Sequence, residues 1–276
     1  MFNLDCGIPN RGETNTTMMD GDGMRTGIGE YPWQVSFASH FENDQALSFI
    51  QNLLQVGIMF DSPNITRRLE CAGTLISDIH ILTAARCVDW DSYPDYILLG
   101  DTMVGSKSDD ANYDNKNMTT VLVTNIHYHP DTSTNIAILE MAEPVPLDKY
   151  PNIKPICLPE ADTDFNGFAA TVTGWAFNGV NGYNSWLQEE GVTVFDDRHC
   201  EDVSSNQLCA GASCVGDTGG PLVVSDPANN NGLTLAGIIE RNTKDCDGVT
   251  AYTDVSQFIE WINDTVGQAT TCPPPP

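Results

Sequence analysis

Residues 71–87 read CAGTLISDIHILTAARC. The run CAGTLIS and the run that ends in LTAA are short, apolar and separated by a polar Ser-Asp pair. Runs of this length bounded by turn residues read as strands. The same rhythm extends outward in both directions. YPWQVSF, YILLG, TVLVTNIHYH, NIAILEM, AATVTGWAF, EGVTVF, GPLVVS and LTLAGII recur every ten residues or so, divided by turn-rich clusters such as SDDANYDNKN and DPANNNG. Evenly spaced short strands indicate an all-β sandwich or barrel rather than parallel α/β units. One helix closes the chain, because Val255, Phe258, Ile259, Ile262 and Val266 recur at helical spacing. The stretch EPVPLDKYPNIKPICLP carries five prolines and reads as a linker, near residues 142–158, between two β halves. The terminal TTCPPPP is too proline-rich to pack and is expected to be extended.

The chain has 276 residues, 41% of them hydrophobic, enough for one large β domain or two small ones. Its 12 basic and 38 acidic residues give a net charge of −26. Such a surface repels nucleic acid and anionic lipid and attracts cations. No apolar run is long enough to span a membrane. MFNLDCGIPN has neither a basic nor an apolar leader region, so a mature or trimmed chain is expected. Nine cysteines, at 6, 71, 87, 157, 200, 209, 214, 246 and 272, lack zinc-type spacing. Together with sequons at Asn15, Asn64, Asn117 and Asn263 they point to a secreted glycoprotein from an oxidising compartment.

Cys6-Gly7, GEYPWQV (29–35), CAGTLISDIHILTAARC, NIAILEM (135–141), KPICLP (154–159), VTGWA (172–176), GDTGGPLV (216–223) and YTDVSQFIEWI (252–262) follow one another in an informative order. This order resembles that of the chymotrypsin-like (trypsin-fold) serine proteases over about residues 20–265. The resemblance implies two six-stranded antiparallel Greek-key β-barrels with a cleft between them and a C-terminal helix. It leaves residues 1–19 as an N-terminal segment tethered through Cys6, and 266–276 as a proline-rich tail. It also implies the bridges Cys6–Cys157, Cys71–Cys87, Cys200–Cys209 and Cys214–Cys246. Cys272 is then left over as a free thiol or an intermolecular link.

In active members of that family a Ser attacks a carbonyl, a His takes its proton and an Asp holds the His. The matching positions here hold Thr218, Arg86 and Asn135. A guanidinium is permanently charged and has five donors but no acceptor, so it is no general base. A threonine hydroxyl without a neighbouring base is a poor nucleophile. The expectation is a non-catalytic homologue. None of the other histidines (His40, His80, His127, His129, His199) falls at the base position, and the pair in HYHP is expected to be exposed loop histidines.

Other departures agree. Only Ala210, Gly211, Ala212 and Ser213 separate Cys209 from Cys214, so the specificity pocket should be shallow or closed. The strand that pairs with substrate backbone in the family reads Glu240-Arg241-Asn242, and a pocket-wall glycine is replaced by Thr250. Asp217 survives, but Asp20-Gly21-Asp22-Gly23, after Met18-Met19, offers no trypsin-like activation cut. Gly216 and Asp217 are thus read as the remnant of an oxyanion region.

The chain also gains features. Residues 41–68 form an apolar insertion that either binds a partner or packs on its own barrel. Asp101, Asp109 and Asp110 lie where some relatives bind calcium, a weak metal candidate set against a metal-free acidic loop. No cofactor is expected. The leading expectation is a secreted binding, cofactor or regulatory protein of an extracellular cascade, with a protein partner. One alternative is a structural glycoprotein linked into an extracellular assembly through Cys272. Another is a weak hydrolase that uses Thr218.

Overall fold

The strand-forming runs are laid out in order in a computed structural model. It describes residues 19–20, 23–25, 31–39, 68–88, 96–100, 119–150, 152–175, 187–196, 199–200, 203–211, 218–226, 232–240 and 248–267. The strands are β1 (Met19–Asp20), β2 (Gly23–Arg25), β3 (Gln34–Ser39), β4 (Arg68–Leu75), β5 (His80–Thr83), β6 (Tyr96–Leu99), β7 (Thr119–Val121), β8 (Val123–Tyr128) and β9 (Ala137–Met141). After a strand-free crossing come β10 (Ala169–Gly174), β11 (Gln188–Phe195), β12 (Gln207–Gly211), β13 (Pro221–Asp226), β14 (Gly232–Ile239) and β15 (Val249–Asp254).

β11-β10-β13-β14-β15-β12 pair in that order, and β12 pairs back onto β11, closing a six-stranded barrel. β1 and β2 extend it through β2 against β11. The first half is ordered β7-β6-β3-β4-β5-β9-β8. Its two edge segments, β7 and β8, are separated by Leu122 alone. They are halves of one bent strand, so the two edges of this sheet are held one residue apart and the sheet curls round on itself. Among the described residues the ladders are antiparallel, so the fold is all-β with a short C-terminal helix, as the resemblance implies.

Strand alternation sorts side chains between two cores. In β13, Leu222 and Val224 face the interior of the closed barrel, while Val223 joins the larger cluster that includes the seven-stranded sheet. That cluster also takes in Trp33, Leu75, Ile81, Ile138, Trp175 and Ile238. Each fully buried side chain of this size contributes about 1.5–3 kcal/mol through removal from water. The proline-rich crossing belongs to the core: Ile153, Ile156 and Cys157 are buried, and Cys157 bridges Thr234 of β14 in parallel.

The C-terminal helical stretch begins as a 3-10 turn, Val255–Phe258, and continues as α1, Ile259–Val266. Asp254 accepts bonds from the amide (2.9 Å) and hydroxyl (2.8 Å) of Ser256, capping the turn. Val255, Phe258, Ile262 and Val266 supply its buried face, as their spacing implies.

Candidate functional site

The floor of the inter-barrel seam is a backbone cradle. The Thr218 carbonyl accepts from the Ala72 amide of β4 at 2.8 Å. The Gly219 amide donates to the Ile239 carbonyl at 2.8 Å, and the Ile239 amide to the Gly220 carbonyl at 3.0 Å. Gly219 has φ +84°, and a Cβ there would lie 2.3 Å from both the Ala72 carbonyl oxygen and Thr83 Oγ1. Thr83 Oγ1 itself donates to the Ala72 carbonyl at 2.8 Å. Only glycine fits between the barrels at this point. The Cys71–Cys87 bridge packs into the same place, with Cys87 Sγ 3.5 Å from the Thr218 carbonyl oxygen. That sulfur carries no hydrogen, so the approach is a packing contact.

Above this floor sit Arg86, Asn135 and Thr218. Arg86 lies in the 3-10 turn Ala85–Val88 that follows β5. Its backbone amide donates to Asn135 Oδ1 at 3.1 Å. A neutral amide oxygen therefore takes a contact that orients the two segments, without supplying charge. The exposed guanidinium crosses the cleft, and Nη1 donates to the Glu240 carbonyl at 3.2 Å. Glu240 directs its carboxylate elsewhere, with Oε1 accepting from Gln207 Nε2 at 2.7 Å and from Thr253 Oγ1 at 3.0 Å. Nothing at Arg86, Asn135 or Thr218 accepts a proton as a base would. Glu240 as the Arg86 partner was missed from sequence, since a backbone carbonyl leaves no mark there.

Further inter-barrel bonds hold the cleft's geometry. Thr173 Oγ1 donates to Gln34 Oε1 at 2.7 Å, both buried, and the Tyr31 hydroxyl donates to Glu189.

Near the specificity region, Ala210 and Gly211 of β12 pair with Thr250 and Val249 of β15. The buried Tyr252 hydroxyl donates to the Gly211 carbonyl at 2.8 Å, and burial pushes its pKa up. Thr250 lines a depression together with His199, Cys200, Val203, Val249 and Ala251.

The histidines are engaged elsewhere, and the expectation for HYHP is corrected. His127 lies within β8 and bonds Glu140 Oε2 at 3.1 Å. His129 is half-buried, edge-on to Phe258 at 5.1 Å and Trp261 at 5.2 Å, and its Nδ1 accepts the Asp131 amide at 3.2 Å. His129 therefore helps seat the C-terminal helical stretch, while His127 belongs to the β8–β9 ladder. Hydrogen bonds from Asn125 and then His127 hold the Glu140 carboxyl below its usual pKa. Buried His80 faces Ser77, whose Oγ accepts the Ile79 and His80 amides and so directs its hydrogen to Nδ1 at 2.9 Å. Desolvation lowers the His80 pKa, against an opposing pull from Glu140. His199 bonds Asp196 at 3.0 Å on the surface.

Cys200–Cys209 is formed, as is Cys71–Cys87. Asn263 is exposed on α1. Cys6, Cys214, Cys246, Cys272, Gly216, Asp217, Ala212, Ser213, Arg241, Asn242, His40, Asp101, Asp109, Asp110, Asn15, Asn64 and Asn117 lie outside the described residues, as does the insertion up to residue 67. Among the described residues no three His, Cys, Asp or Glu side chains are grouped to hold a metal. Among them, too, no helix is long and apolar enough to cross a membrane.

A closed six-stranded barrel meeting a curled seven-stranded sheet at a glycine seam, with Arg86, Asn135 and Thr218 above it, defines a chymotrypsin-like framework. The chain matches the family described as Trypsin over residues 21–262, and it belongs to that family. It is 30% identical over 275 residues to a trypsin of Phaedon cochleariae, covering 91% of this chain and 90% of that protein. It is 33% identical over 219 residues to glucanase inhibitor protein 3 of Phytophthora sojae, covering 71% of this chain and 78% of that protein. It is 28% identical over 277 residues to clotting factor C of Tachypleus tridentatus. That alignment covers 89% of this chain, which spans only 25% of the longer protein.

Proposed function

We propose that this chain is a secreted, non-catalytic member of the trypsin family that acts by binding another protein in an extracellular cascade. The observation that carries the proposal is the Arg86 guanidinium, which stands at the base position and is tied across the cleft to the Glu240 carbonyl. A group with no lone pair to offer cannot activate the Thr218 hydroxyl. Losing the members of such a triad typically costs on the order of a millionfold in kcat. The Glu240 carbonyl opens the segment matching the strand that pairs with substrate backbone in the family, so its engagement also opposes productive peptide docking. A relative whose name is that of an inhibitor is in keeping with a binding role, and one named as a clotting factor with a cascade setting.

The test is hydrolysis of peptide esters together with labelling by a fluorophosphonate. Neither turnover above background nor stoichiometric labelling is expected. Appreciable turnover that disappears in Thr218→Ala would overturn the proposal.

A further inference from the structure

In a chain of net charge −26, the exposed Arg86 guanidinium has no carboxylate partner among the described residues. Neither of the two residues that bond Arg86 gives it a carboxylate. Position 135, which touches the Arg86 backbone, is an amide instead of an acid. Glu240 lends Arg86 only its carbonyl, while its carboxylate is tethered by Gln207 and Thr253.

The remaining groups have one polarity. Of the five guanidinium N–H groups, one is used on Glu240. Because Asn135 Oδ1 accepts the Arg86 amide, the other arm of the amide is Nδ2, which carries two donors. The Thr218 carbonyl is taken by Ala72, and its hydroxyl remains to donate. Among the described residues these three side chains thus offer a cation and several donors, and none of the three is an anion.

We propose that Arg86, Asn135 and Thr218 form a receptor for a single carboxylate presented by a peptide partner. The proposal rests on the absence of catalysis argued above and names the chemistry that the site would recognise. The guanidinium fork matches a carboxylate through two parallel bonds. A doubly charged oxyanion such as phosphate is disfavoured, because repulsion from the acidic surface grows with ligand charge.

The experiment follows arginine Nε–H resonances by NMR on the full chain during titration with N-acetylalanine, N-acetylalanine amide and inorganic phosphate. The Arg86 signal, assigned by its loss in Arg86→Gln, is expected to shift saturably with N-acetylalanine and not with the amide. Asn135→Asp, which keeps the oxygen facing the Arg86 backbone, is expected to weaken binding at least about tenfold by supplying an internal carboxylate. Thr218→Val, which removes one donor, should weaken it less. No saturable shift at Arg86, tighter binding of phosphate, or unchanged binding in Asn135→Asp would each overturn the receptor. The peptide-ester assay, run on the same sample, separates the two proposals. Turnover lost in Thr218→Ala defeats the non-catalytic function, whereas silence in both assays defeats only the receptor.

Discussion

The seam beneath residue 219 and the cleft just above it obey different constraints. Below, Gly219 meets a carbonyl oxygen and a threonine hydroxyl at distances that exclude even a methyl group, and every neighbouring amide and carbonyl named there is paired. Above, Arg86 is exposed and Asn135 and Thr218 are half-buried, with room for side chains of different size and charge. The frame is fixed by packing, which acts whether or not any reaction occurs. The upper residues are fixed only by what they do. A chain can therefore exchange all three without disturbing the floor they stand on.

That contrast is most directly broken at Gly219. Gly219→Ala adds a clash and a strained φ, and should cost roughly 3 kcal/mol or more, read as a large fall in Tm or failure to fold. Near-wild-type stability would mean the floor is less constrained than its geometry implies. Replacing Cys71 and Cys87 together by Ala should cost about 2–4 kcal/mol in chemical denaturation. Thr83→Val, which removes the bond to the Ala72 carbonyl, should cost about 1 kcal/mol by the same measure. By contrast, Arg86→Ala should change stability by no more than about 0.5 kcal/mol, as for an exposed side chain.

A smaller effect concerns pH. His80 has a folded-state pKa below its unfolded value of 6.5. Its contribution to stability is therefore complete above pH 6.5 and is lost as pH falls below that value toward the folded pKa. Protonation would also set a second donor against the Ser77 hydroxyl, whose oxygen already accepts two amides. Tm measured between pH 5 and 7.5 should fall toward acid, and the slope should flatten in His80→Gln. An unchanged slope would remove His80 from the account.

Strands with long apolar runs were legible because burial on one or both faces writes itself into hydrophobicity. β12 and β15 were not, being built around Cys209, Thr250 and Thr253, and the buried Thr253 satisfies its hydroxyl on Glu240. Motif order singled out Arg86, Asn135 and Thr218, and a bond from the Arg86 backbone amide to Asn135 joins two of them. What the guanidinium does was not, since its partner is a main-chain oxygen from the other barrel. The seat of His129 between Phe258 and Trp261 was hidden for a related reason: contacts between distant segments carry no local pattern.

The segment joining the barrels has a practical consequence for dissection of the molecule. Ile156 donates its amide to Leu75 of one half at 3.0 Å, and Cys157 accepts the amide of Leu235 from the other at 3.0 Å. A gene cut between β9 and β10 would leave one fragment with an unfilled gap and the other with a greasy, unpaired flap. Neither half is expected to fold when expressed alone, although the two sheets look separable on paper. Co-expression of the fragments is the arrangement in which each would find the surface it lacks.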